Sequence, residues 1–176
     1  MKNPHHKSLE GITDLSEKAL IISYNMGIDK GINAAEWDIQ YAFGGRQTSA
    51  RNGYLIAKEI VKALDDGDPS FWDHRELPNL SGEWCGGMIP HTLLEDILYE
   101  LDIDDESQDK EYMTDQLDEF CTEWENGVND GFTWHMETSA KEYIKSYEEN
   151  LRELNNERVK RYPDLPEEDR EEDDNY

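Results

Sequence analysis

Any catalytic or metal-binding chemistry in this chain would have to come from five histidines, two cysteines and forty-two carboxylates. Their spacing supports neither. His5, His6, His74, His91 and His135 include no pair one helical turn apart, and Cys85 with His91 supplies half a zinc ligand set at most. The tract from Asp102 through Asp104 and Glu106 to Asp109 starts like a calcium loop. That loop needs glycine at its sixth position and a bidentate glutamate at its twelfth, where this chain has Ser107 and Met113. Gly44 and Gly45 before Arg46 read as a turn and not as a phosphate cradle, and neither Ser49 nor Ser81 stands in a nucleophile elbow. The expectation is a protein with no catalytic residues, no metal site and no cofactor.

Charge is the stronger signal. Forty-two Asp and Glu against seventeen Lys and Arg leave a net charge of -25 over 176 residues. Such a surface repels phosphate, so direct binding to nucleic acid or to an anionic membrane is excluded and partners should be cationic. The acid is also localised, with -15 in residues 91–140 and only -1 in residues 1–50. A salt-adapted proteome would acidify the whole chain.

Glu111, Asp115, Asp118, Glu119 and Glu125 recur on the helix face opposite Leu117, Phe120 and Trp124. Successive turns lift such carboxylates by about 5.4 Å. One strand of duplex DNA advances about 3.4 Å per phosphate, the two strands together placing a charge every roughly 1.7 Å, so acids on a helix approximate part of a phosphate track. Glu95, Asp96 and Glu100 on a neighbouring helix, with Asp104 and Asp105 between, offer a second row. A second candidate surface is the segment holding Phe71, Trp72 and Trp84, where Asp73, Glu76 and Glu83 interleave with the aromatics. These rings either cover the core or form a patch that receives a partner's arginine.

The elements that must position these residues are helices. Aromatic residues make up 10% of the chain and include five Trp, too many for a disordered acidic chain, and the length suits one domain. A first helix starts at a cap on Asp14 or Ser16 and repeats Leu15, Ala19, Ile22 and Met26 at helical spacing. A second starts at Thr48 or Ser49, buries Tyr54, Ala57, Val61 and Leu64, and stops at Gly67. Pro90 opens a third with Leu94, Ile97, Leu98 and Leu101 facing inward. The longest pattern runs from Gln108 to Arg161 through Met113, Leu117, Phe120, Cys121, Trp124, Val128 and Phe132, with Gly127 and Gly131 as candidate points of bending or splitting.

The expected fold is mainly α, a single domain of four or five helices over residues 14–161. Residues 68–89 form an ordered Trp/Gly/Pro-rich loop, 1–13 a flexible N-terminus and 162–176 a disordered acidic tail. Trp37 joins the expected core. Both cysteines are expected to be reduced core thiols. No apolar run reaches the roughly 18 residues of a membrane span, and the first ten residues lack a signal peptide's apolar segment, which points to a soluble, cytoplasmic protein.

Two features concern assembly. Gly27 and Gly31 echo Gly127 and Gly131 in spacing, and pairs of small residues four apart mark helices that cross closely, so these two segments are expected to pack together. Tyr143, Tyr147, Leu151 and Leu154 form a narrow apolar stripe in a stretch of nearly balanced charge, suited to a homodimer or to closing the core over the first helix.

The Gly67-Asp68-Pro69 turn, the segment Leu80-Ser81-Gly82-Glu83-Trp84 and the helix holding Leu93 and Leu94 resemble uncharacterised small acidic proteins of bacteriophages, over residues 48–135. The resemblance implies a phage accessory protein acting in the host cytoplasm, and it carries across no catalytic residues. In charge and size the chain is also similar to phage-encoded DNA mimics that block restriction or CRISPR enzymes. The functional expectation is therefore a non-enzymatic inhibitor whose acidic face occupies the groove of a basic, nucleic-acid-binding host defence protein. The alternatives are an adaptor for another basic protein, and a small hydrolase or ligand-binding protein that uses the Trp-rich loop.

Overall fold

The computed structural model describes residues 6–42, 49–66, 89–104 and 106–161. Five helices occupy them: α1 Leu15–Ala42, α2 Ala50–Asp65, α3 Pro90–Glu100, α4 Gln108–Asp115 and α5 Leu117–Arg161. No strand occurs among the described residues, and the protein is mainly α. Local chemistry explains where the helices begin. Asp14 accepts the Glu17 N–H at 2.8 Å, Ser49 the Asn52 N–H at 3.2 Å and Ser107 the Asp109 N–H at 3.1 Å, each satisfying a donor that the first turn leaves free. Proline opens α3, where its missing N–H costs nothing.

The glycine echo is the architectural centre. A Cβ on Gly27 would lie 2.1 Å from the Trp124 carbonyl oxygen, and one on Gly127 would lie 2.1 Å from that of Tyr24. Gly31 meets Val128 and Gly131 meets Ile28 in the same reciprocal way, at 2.1 and 2.3 Å. Contacts advance together along both helices, so α1 and α5 run parallel, related locally by a pseudo-two-fold axis. The crossing admits no side chain, because the collision would be with backbone that no rotamer can move. Glycine costs a helix roughly 1 kcal/mol per position against alanine, so these four are kept for the approach and not for the helix. Ser23, fully buried beside the crossing, donates to the Phe120 carbonyl at 2.5 Å.

Two apolar clusters flank this crossing. The first joins Ala19 and Ile22 of α1, Leu93, Leu94, Ile97 and Leu98 of α3, Met113 of α4, and Phe120, Trp124 and Val128 of α5. The second joins Ala35, Ala57 and Ile60 to Phe132, Met136 and Ala140. It is closed by α2, which runs back along α5: Tyr54 stacks on Tyr147 with centroids 4.6 Å apart, and Asp65 lies near enough to Lys141 to raise its pKa, behind the larger effect of Glu137.

The structure corrects several expectations. The long pattern breaks at Gln116, not at the glycines, which lie inside an uninterrupted α5. The Gln116 N–H returns to the Met113 carbonyl at 3.1 Å, which tightens the last turn of α4, and its side chain accepts from Ser16 of α1. The inward face of α2 centres on Gly53, Ala57 and Ile60, with Tyr54, Val61 and Leu64 half-buried at its margins. Leu93 joins the α3 core, and Met26, Leu117 and Leu101 are half-buried at its margin. Tyr143 and Tyr147 pack against α2, not α1, while Leu151 and Leu154 are exposed. The side chain of Trp37, residues 1–5, the loop at 68–88 and the tail at 162–176 lie outside the described residues.

Before α1 the chain doubles back. Gly11 sits in the left-handed region at φ 82°, the Ile12 N–H bonds the Leu9 carbonyl at 3.2 Å, and residues 6–8 return along α1.

Candidate functional site

The first cluster fixes the outer surfaces of three helices, and the acids expected from sequence lie there. Glu95, Asp96 and Glu100 on α3, Asp104 in the link, Glu111 and Asp115 on α4, and Asp118, Glu119 and Glu125 on α5 are all exposed. Asp105 lies outside the described residues, as do Phe71, Trp72 and Trp84. One core thus carries both rows, and Lys110 is the only Lys or Arg between residues 91 and 140.

Many of these acids stand where a helix resists them. Glu100 ends α3, next to the negative pole of its dipole, whereas Asp115 ends α4 two residues before the positive pole of α5. Asp96 and Glu100, and Glu111 and Asp115, are like charges one turn apart, each pair costing roughly 0.2–0.5 kcal/mol, whereas Glu123, one turn after Glu119, has the Lys7 ammonium at 3.3 Å. Asp109, Glu111, Asp118 and Glu119 occupy first turns, where the dipole favours them. Glu95 has His91 as a partner at 3.6 Å when the imidazole is protonated.

Sequence reasoning missed Asp102, Tyr99 and Tyr112. Asp102 is the one non-glycine residue at positive φ among those described, at 55°. It closes α3 in a Schellman turn, with its N–H on the Tyr99 carbonyl at 3.2 Å and the Ile103 N–H on that of Leu98 at 3.0 Å. Glycine is the usual residue there, and the signal was an acid followed by an apolar Ile103 that returns to the core. Tyr99 and Tyr112, 84% and 51% exposed, present rings amid the carboxylates, the combination that receives arginine or lysine.

The field of the array reaches Cys121, a free, half-buried thiol. Burial raises its pKa first, and Asp118 and Glu125 raise it further, so the thiolate is disfavoured. Cys85 lies outside the described residues. Among those described, no group of three or more His, Cys, Asp or Glu is placed to hold a metal, and no helix is long and apolar enough to cross a membrane.

No protein family, curated protein or solved structure matches the chain.

Proposed function

We propose that this protein is a non-enzymatic acidic binder that seats its charged end in the nucleic-acid groove of a basic protein. One observation carries the reading: Glu100 and Asp102 stand at the C-terminal end of α3, and like charges are stacked one turn apart along α3 and α4, at the expense of the helices that bear them. Departures from local rules of this kind gather where a surface serves something other than the fold. A rigid core beneath the array adds to the case, since fixed charges are paid for once, at folding, and not again at binding. On the strength of the resemblance to phage proteins, the target class we propose is a host defence protein of restriction or CRISPR type.

The test is capture from the duplex-DNA-binding fraction of a bacterial lysate. The wild type is expected to retain a protein that added duplex DNA releases and that high salt weakens steeply. The variant Glu111→Gln, Asp115→Asn, Asp118→Asn, Glu119→Gln should retain none while keeping its helical circular dichroism. Capture that DNA does not compete would favour an adaptor for another basic protein, and capture by the quadruple variant would defeat the array altogether.

A further inference from the structure

A separate site lies on the flank of the α1–α5 crossing, and the chain fills it with its own residues. The Asn25 side chain grips the backbone of Lys7 at two points: its Oδ1 accepts the Lys7 N–H at 2.8 Å, and its Nδ2 donates to the Lys7 carbonyl at 3.0 Å. The Lys7 ammonium stands 3.6 Å above the centroid of the Tyr24 ring and donates to Glu123 Oε2 at 3.3 Å. One residue earlier, His6 Nε2 meets Asp29 Oδ1 at 3.0 Å.

Each component does a distinct part of recognition. A primary amide that pairs with both the N–H and the C=O of one residue reads extended backbone irrespective of side chain. An aromatic face with a carboxylate beyond it reads a cation. Tyr24 is held in place for this: it is buried and donates its hydroxyl to Asp130, so the ring cannot swing away. Asp29 adds preference for a hydrogen-bond donor one residue before the lysine. Tyr24, Asn25 and Asp29 come from α1 and Glu123 from α5, so the site exists only because the glycines bring the two backbones together.

We propose that Tyr24, Asn25, Asp29 and Glu123 form a recognition site for a lysine-bearing extended peptide of a partner protein, which His6 and Lys7 occupy in cis until exchanged. Lys7 itself is about half exposed, as an exchangeable occupant needs to be. Seven residues tether it to the start of α1, and a short tether holds a ligand at an effective concentration of order millimolar, so the cis segment masks the site from weak competitors. A basic partner that engages several points at once overcomes that mask. The site borders the acidic start of α5 through Glu123 but uses none of the exposed acids offered to the basic groove, so either can fail without the other.

The experiment uses the full chain and a synthetic peptide copying residues 6–12, titrated while the Asn25 side-chain amide and the Tyr24 ring are followed by nuclear magnetic resonance. Lys7→Pro removes both the N–H that Asn25 accepts and the ammonium over Tyr24, and should bind the peptide at least about tenfold more tightly than wild type. Lys7→Ala, which removes the ammonium alone, should give a smaller gain and serves as the opened form if Lys7→Pro does not fold. A peptide with alanine in place of its lysine should lose this binding, as should adding Asn25→Ala to the opened chain. Equal affinity for wild type and opened chains, or no shift of the Asn25 amide in any of them at millimolar peptide, would overturn the proposal and leave the contact a clasp of the fold.

Discussion

The acidic end and the far half of α5 use charge in different ways. Along α3 and α4, like charges stack one turn apart and an acid closes α3, with Lys110 alone among them. From Glu137 onward the two signs are mixed: Glu137 with Lys141, Lys145 with Glu149 and Glu157 with Arg161 are opposite charges one turn apart that offset the like pairs Lys141/Lys145, Glu149/Glu153 and Glu153/Glu157, and Arg158, Lys160 and Arg161 fill the last turn, where the dipole favours cations. Burial differs too. Phe120 is fully buried, whereas Leu151, Leu154 and Val159 are exposed. The far half has charges arranged to keep a solvated helix helical. The acidic end has apolar packing that compensates for charges arranged against it, which is what a surface kept for a partner requires.

The contrast in packing should give the largest effect. Phe120→Ala empties a fully buried site and is expected to cost about 3–5 kcal/mol in urea unfolding, whereas Leu154→Ala should cost less than about 0.5 kcal/mol. Similar values for the two would mean that a second copy or another segment covers the far half, and would restore the homodimer expected from its apolar stripe.

Alkali offers a second probe. Burial pushes the Tyr24 phenol up to about 12 from an ordinary value near 10, and its hydrogen bond to Asp130 and the charges of Asp130 and Glu123 add to this. The folded state therefore keeps a proton that the unfolded chain loses, so this contribution is intact below pH ~10 and declines by roughly 1.4 kcal/mol per pH unit up to the folded value. Unfolding free energies measured across that window should fall more steeply for wild type than for Tyr24→Phe. Equal slopes would show that the phenol titrates normally.

How much of this was legible depended on whether the cause was local. The helix starts at Asp14, Ser49 and Pro90 were readable because a cap or a proline acts within one turn. The pairing of Gly27 and Gly31 with Gly127 and Gly131 was readable because few other reasons put glycine twice in a helix interior, but the parallel direction was not, since spacing has no sense along the axis. Gln116 gave no warning: Met113, Leu117 and Phe120 keep helical spacing across it, and its side chain meets Ser16, a hundred residues earlier in the chain, which spacing cannot show. The same limit hid the fate of the apolar stripe. Tyr147 and Leu151 share one period, yet only Tyr147 has Tyr54 to stack on. The acids of the candidate site were legible as exposed, while the cost of placing Glu100 and Asp102 at the end of α3 became visible only with the helix ends.

A smaller effect sharpens the far side of the comparison. Lys145→Glu turns attraction to Glu142, Glu148 and Glu149 into repulsion while turning repulsion from Lys141 into attraction, and should cost roughly 0.5 kcal/mol at low salt and less at high salt. No change at low salt would mean that these pairs are incidental.

If the acids of the charged end serve a partner and not the fold, removing them should stabilise the protein. The direct measurement is the urea-unfolding free energy, at low ionic strength, of Asp96→Asn, Glu100→Gln, Asp115→Asn, which removes two like-charge pairs and the carboxylate at the C-terminal end of α3. The expected result is a variant more stable than wild type by roughly 1–2 kcal/mol, a gain that shrinks as salt is added. A variant less stable than wild type would show that these carboxylates hold the helices together, and would contradict the account.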